Sequence, residues 1–132
     1  MKTTKPTKII YWISTGIIFL FEGVLVALTS QTEFAKEGIR HLGYPEYFGV
    51  LLAILKVAGA IVLILPMISA RIKEWAYAGF AITIIAAAVS HWAVDGFGGQ
   101  TIFPIVFFAI LATSYITYHK LQKNTIAAVK TI

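Results

Sequence analysis

The chain has no cysteine, which excludes disulfide frameworks, Cys-ligated zinc or iron–sulfur sites, and thiol redox chemistry carried by the chain itself. Any redox role must use a bound cofactor or a partner. Charge is also scarce: Asp, Glu, Lys and Arg make up 13% of the 132 residues, where soluble chains carry about 25%. No nucleophile motif, phosphate-cradling glycine loop or zincin signature occurs, and no internal repeat of fixed period. Ser90 and His91 are adjacent, so on a helix their side chains diverge by about 100° and form no Ser–His dyad. What remains is apolar, 58% of the residues. A single domain is expected at this length, and it is an integral membrane domain spanning residues 1–132.

The net charge of +5 invites a nucleic-acid reading until the basic residues are placed. Lys2, Lys5 and Lys8 precede the first apolar run, Arg71 and Lys73 fall between the second and third, and Lys120, Lys123 and Lys130 follow the last. Only Lys36 and Arg40 lie in the connection after the first run, and Lys56 lies inside the second. Basic residues biased to one side orient membrane proteins, so no nucleic-acid partner is expected.

A spanning helix needs about 20 mostly apolar residues. Four windows qualify: Ile9–Thr29, Tyr47–Ile68, Trp75–Val94 and Ile102–Tyr118. The expected fold is all-α, an integral membrane antiparallel four-helix bundle. The first window exceeds a signal-peptide apolar region, contains Glu22 and lacks an A-x-A site, so it is read as a retained span. The Lys/Arg bias places both termini in the cytoplasm and the Gln31–Glu46 and Asp95–Thr101 connections outside. In the first of these, Thr32 is a suitable N-cap and Gly43 a stop. Phe34, Gly38, His41 and Leu42 share a face. A short interfacial helix between helices 1 and 2 is expected, with a solvated loop as the alternative.

Ionisable residues inside apolar windows are costly and are therefore the first place to look for function. Glu22 lies about 10 Å and Lys56 about 13 Å below the outer boundary at ~1.5 Å per residue. At that common level on neighbouring helices they are expected to pair, which offsets desolvation. His91 and Asp95 are spaced i,i+4 near the outer end of the third helix, where a carboxylate contact would set the imidazole tautomer. His41 and His119 are read as interfacial and solvated. Thr15, Glu22 and Thr29 recur every seven residues. Gly49, Ala53, Lys56 and Ala60 form a small-residue ridge, as do Gly79, Thr83, Ala87, His91 and Asp95, and more mildly Ala109, Thr113 and Thr117; such ridges let helices approach closely in lipid. The cluster Glu22, Lys56, His91 and Asp95 is thus either a set of packing contacts or the lining of a small cavity for a polar head group or a proton. A metal triad of His91, Asp95 and Glu22 has no specific spacing behind it, and no metal is assigned.

Several segments carry a family resemblance: Leu42-Gly43-Tyr44-Pro45-Glu46-Tyr47, Ile54-Leu55-Lys56-Val57-Ala58-Gly59, Leu65-Pro66, Lys73-Glu74-Trp75-Ala76-Tyr77-Ala78-Gly79-Phe80, Ser90-His91 and Asp95-Gly96. From about Gly16 to Tyr115 the chain resembles the DoxX-like family of small bacterial membrane proteins. The resemblance implies a four-helix, multi-pass protein of the bacterial cytoplasmic (inner) membrane. Its name comes from subunits associated with quinone-linked oxidation of sulfur compounds, and related mycobacterial proteins are implicated in membrane oxidative-stress assemblies; no catalytic residue carries over. One expectation is a quinone- or lipid-binding subunit of a redox system, with Glu22, Lys56 and His91 at the polar head and Phe19, Trp92 and Phe103 for ring packing. The other is a non-catalytic scaffold whose Glu22–Lys56 pair specifies packing and whose interfacial helix recruits a partner. A transporter would require a homodimer. The expected partners are membrane lipid, quinone, a second copy or a membrane redox protein.

Overall fold

The structure, a computed structural model, describes the backbone of residues 4–130 and the side chains of 5–123 and 125; Lys2 and the side chain of Lys130, two of the orienting charges, lie outside the described residues. It is helical throughout, with no strand among the described residues. Helix α1 (Thr4–Ile18) continues through a π-helical segment (Phe19–Val24) into α2 (Leu25–Thr29); α3 (Glu33–His41), α4 (Glu46–Ile64), α5 (Ala70–Asp95) and α6 (Gly99–Lys130) follow. Four stretches are long and apolar enough to cross a membrane: Lys5–Thr29, Glu46–Ile64, Ala70–Asp95 and Gly99–Lys123.

The spans depart from the expected windows at their ends. The second stops at Ile64 rather than Ile68, because Leu65 turns to extended backbone (ψ 119°) ahead of Pro66, and a residue before proline is pushed out of the helical region. The third starts at Ala70 rather than Trp75, after Ser69 in extended geometry. The fourth runs well past Tyr118, to Lys130. Helix α3 begins where Thr32 Oγ1 accepts from the Ala35 N–H at 3.3 Å. It ends in a Schellman arrangement: Gly43 at φ +88°, its N–H donating to Arg40 O and the Tyr44 N–H to Ile39 O. A residue with a Cβ is disfavoured in that left-handed conformation.

Buried positions of α1 fall at Tyr11, Ser14, Thr15 and Ile18. The same α-helical spacing continues at Glu22 and Val26, which are partly buried, while Phe21 and Leu25 are exposed. The i→i+5 bonding of a π turn accommodates one extra residue, and within this segment Gly23, beside Glu22, is the buried residue. The sequence reading, at constant helical pitch, contained no π segment.

Contacts close into a ring: α1 on α6, α6 on α5, α5 on α4, and α4 on the π segment. The shared core includes Ile18, Leu63, Phe80, Phe107 and Leu111. Apolar residues also cover the outside, with Ile13, Leu28, Trp75 and Ile82 all more than half exposed, as suits helices whose outer surfaces meet lipid rather than water. The close approaches are at Gly23, where an added Cβ would sit 2.8 Å from Ala60 Cβ, and at Gly59, where it would meet the Phe80 ring at 3.0 Å. The α4 ridge therefore packs at Ala60. On the α5 ridge Gly79 makes no close approach, since a Cβ there would meet nothing within 4 Å, and the buried residues of α5 are Lys73, Tyr77, Phe80 and Ile84. On α6, Ala109 and Thr113 are exposed, while Thr117 of that ridge turns inward with Phe107, Leu111 and Ser114. Large side chains filled the core better than the small-residue stripes suggested.

Candidate functional site

Glu22 lies in the π-helical segment, which packs on α4. Its Oε2 lies 2.9 Å from Lys56 Nζ, with the two side chains 14% and 25% exposed. That oxygen is cut off from solvent and receives no aligned hydrogen bond among the described residues, so the ammonium is its main compensation. The close approach of Gly23 to Ala60, one residue beyond Glu22 and about one turn beyond Lys56, holds the backbones near enough for the pair to form.

Lys56 also borders two cavities. One, of about 360 Å³, lies between α2, α3 and α4; Val26, Ile39, Val50 and Ala53 form apolar walls, and Lys36 and Glu46 line it too. Those two form an ion pair of 3.8 Å, tying α3 to the start of α4. The other, of about 430 Å³, is an apolar groove between α4 and α5 lined by Leu52, Val62, Trp75 and Phe80 among others. The Lys56 side chain therefore stands where a polar-mouthed cavity and an apolar groove meet.

His91 and Asp95 are also in contact, Nδ1 to Oδ2 at 3.4 Å. The other carboxylate oxygen, Oδ1, takes His41 Nε2 at 2.5 Å. His41, read as interfacial and solvated, is indeed exposed, at 53% of its side chain; what the sequence did not show is its partner, for as the last residue of α3 it binds α3 to the end of α5. The Tyr44 hydroxyl makes a second tie, 2.7 Å from Ser90 Oγ, while its ring stacks on Phe48. His119, read as solvated too, is exposed and also pairs with Glu74, which accepts from the Tyr115 hydroxyl at 3.0 Å.

The four expected residues form two separate pairs. No hydrogen bond or ion pair joins Glu22–Lys56 to His91–Asp95 among the described residues, and neither His91 nor Asp95 lines either of the Lys56 cavities. No group of three or more metal-ligating side chains is assembled among the described residues; Glu22 is engaged on α4, away from His91. The aromatics expected for ring packing are elsewhere. Phe19 packs on the core, Trp92 sits edge-on to Phe97 and Phe103 tilts on Phe107, and none lines either cavity.

Sequence reasoning missed Lys73. Counted there as a loop charge, it lies inside α5 and is 2% exposed. Its Nζ donates to Leu63 O at 3.0 Å and to the Tyr11 hydroxyl at 3.5 Å. Behind it, Ser114 Oγ bonds both Thr15 Oγ1 and the Tyr77 hydroxyl at 2.7 Å, a buried chain of hydroxyls between α1, α5 and α6. The available signal was periodicity: Lys73, Tyr77, Phe80 and Ile84 recur at helical spacing, but the expected third window starts at Trp75, two residues past Lys73.

A model of the DoxX-like family matches residues 12–114, a stretch that takes in both lysines and most of every span. The chain belongs to the DoxX-like family. No curated protein and no solved structure matches it.

Proposed function

We propose that this DoxX-like membrane protein binds a polar-headed, apolar-tailed membrane molecule, a quinone or a lipid, at Lys56, and serves as a subunit of a membrane redox or oxidative-stress system. In this reading the four spans form an antiparallel bundle in the bacterial cytoplasmic membrane with both termini cytoplasmic, and α3 lies on the outer interface as a cover over the cavity. The observation that carries the proposal is the position of Lys56, a cation within the spans that borders both a cavity of about 360 Å³ and an apolar groove of about 430 Å³. Binding sites of this kind are mostly apolar with a few placed polar groups that fix orientation. The Lys56 ammonium would donate to the head group, Glu22 would hold it aimed, and Leu52, Val62 and Phe80 would take the tail. A quinone held there would supply the redox chemistry that a chain without cysteine lacks.

The test is to purify the protein in mild detergent and measure organic extracts by mass spectrometry. A stoichiometric quinone or lipid that disappears in a folded Lys56→Met variant supports the proposal. A second reading, a scaffold whose ion pair specifies packing, is favoured by the seclusion of Glu22 Oε2. It predicts that Glu22→Gln and Lys56→Met each disrupt folding, that the double variant is tolerated, and that the extracts carry nothing specific.

A further inference from the structure

Lys73 is more deeply buried than Lys56 and has no counter-ion among the described residues. Its partners are a carbonyl, a phenol and the face of Tyr118, whose ring centroid is 5.5 Å from Nζ. Leu63 O is one of the last carbonyls of α4, which ends at Ile64; it lacks an intrahelical donor and receives Lys73 Nζ and, at 3.5 Å, the Tyr11 hydroxyl. The ammonium is thus held by dipoles alone. The adjacent acid, Glu74, is taken up by His119 and Tyr115, and no other acidic residue falls near this end of the fold: the remaining five are Glu22, Glu33, Glu37, Glu46 and Asp95. Buried charges are ordinarily paired.

The same amine borders a groove of about 410 Å³ that runs between α1, α6 and the Pro66 turn, and no acidic residue lines it. Three hydrogens there have no acceptor among the described residues. An ammonium has three N–H donors, and Lys73 uses two. Tyr118 receives Gln122 Nε2 at 3.0 Å and keeps its own O–H. The Gln122 amide keeps its second N–H. Trp12, Pro66 and Leu121 supply apolar walls beside these donors. Lys8, one helical turn before Trp12, and Lys123, next to Gln122, add positive charge at the same end.

We infer that this groove is a binding site for an anionic phosphate group, with Lys73 as the charge and Tyr118 and Gln122 as neutral donors. Lysine binds phosphate as a point charge without requiring a planar partner, and a tetrahedral anion has enough acceptor positions for all three donors. The phosphate belongs either to a phospholipid head group, whose chains would lie on Trp12, Pro66 and Leu121, or to a soluble phosphate compound.

The experiment uses the full chain in mild detergent. Native mass spectrometry with phosphatidylglycerol and with diacylglycerol tests the lipid arm, and thermal unfolding with inorganic phosphate tests the soluble arm. Retention of phosphatidylglycerol but not diacylglycerol, falling on the order of tenfold in Lys73→Gln and kept in Lys73→Arg, is the expected result; tenfold is the loss that removal of one charge-assisted hydrogen bond produces. If inorganic phosphate raises the unfolding temperature of the wild type and not of Lys73→Gln, while phosphatidylglycerol is not retained, the site stands and its ligand is soluble. Should Lys73→Gln fail to fold, Gln122→Glu leaves the Leu63 cap intact and places a negative charge in the groove, and the same loss is expected. Equal binding of both probes by wild type and variants, or binding of neither by the wild type, overturns the inference.

Discussion

Two lysines sit within the packed part of these helices, and they are held by opposite means. Lys56, a quarter exposed, faces a carboxylate at 2.9 Å; Lys73, at 2% exposure, faces a helix-end carbonyl, a phenol and an aromatic ring. The first arrangement is mutual, since each partner would be stranded without the other. The second is one-sided, since Leu63 O keeps the Tyr11 hydroxyl if Lys73 is removed. The difference teaches that how deeply a charge is buried does not rank what its loss costs; what matters is the group left behind.

The sharpest way to break this comparison is at Glu22. Glu22→Gln leaves the Lys56 ammonium without its anion, and breaking a buried pair from one side costs about 3–5 kcal/mol. Denaturant or thermal unfolding in detergent should register that loss, and Glu22→Gln with Lys56→Met together should recover most of it. The next effect is at the backbone that brings the pair together. Gly23→Val forces a Cβ toward Ala60 from an ideal position 2.8 Å away, so the π segment must move off α4, at about 1–3 kcal/mol. If that variant is as stable as the wild type, the close approach is not what positions Glu22. Third comes Lys73→Met, expected at about 1–2 kcal/mol because no charge is stranded. A larger loss for Lys73→Met than for Glu22→Gln would reverse the comparison.

The same two lysines mark how far the residues alone could be read. Lys56 was legible because it interrupts a long apolar run, and Glu22 because helical rise put it at the same level on the neighbouring helix. Lys73 was not, because it stands where apolar sequence gives way to a basic connection, and composition there cannot tell a solvated loop from the first turn of a helix. The four spans were legible from length and hydropathy. Their inward faces were less so: small residues on α5 and α6 suggested close packing, but Phe80, Phe107 and Leu111 make the core while Gly79 and Ala109 face outward. The exposure of His41 and His119 was legible, but not their pairing, because the carboxylate partners, Asp95 and Glu74, are distant in sequence and reach them only through the fold.

The smallest expected effect lies at the α3 end, and it separates a pair that holds structure from one that holds a cover. Asp95 joins His41 of α3 and His91 of its own helix with its side chain partly open to solvent, so Asp95→Asn should leave global stability nearly unchanged. Its local effect should be larger. Helix α3 is held by the His41–Asp95 contact, the Tyr44–Ser90 hydrogen bond and the Lys36–Glu46 pair, and it contributes Ala35 and Ile39 to the wall of the cavity beside Lys56. Amide hydrogen exchange in residues 33–41 should therefore quicken in Asp95→Asn, and further in Asp95→Asn with Tyr44→Phe, while exchange in α4 and α5 stays unchanged. Such a result would mean that α3 opens as a unit over a rigid pair. Uniform acceleration through α4 would instead show that the contacts at this end and the Glu22–Lys56 pair stand or fall together.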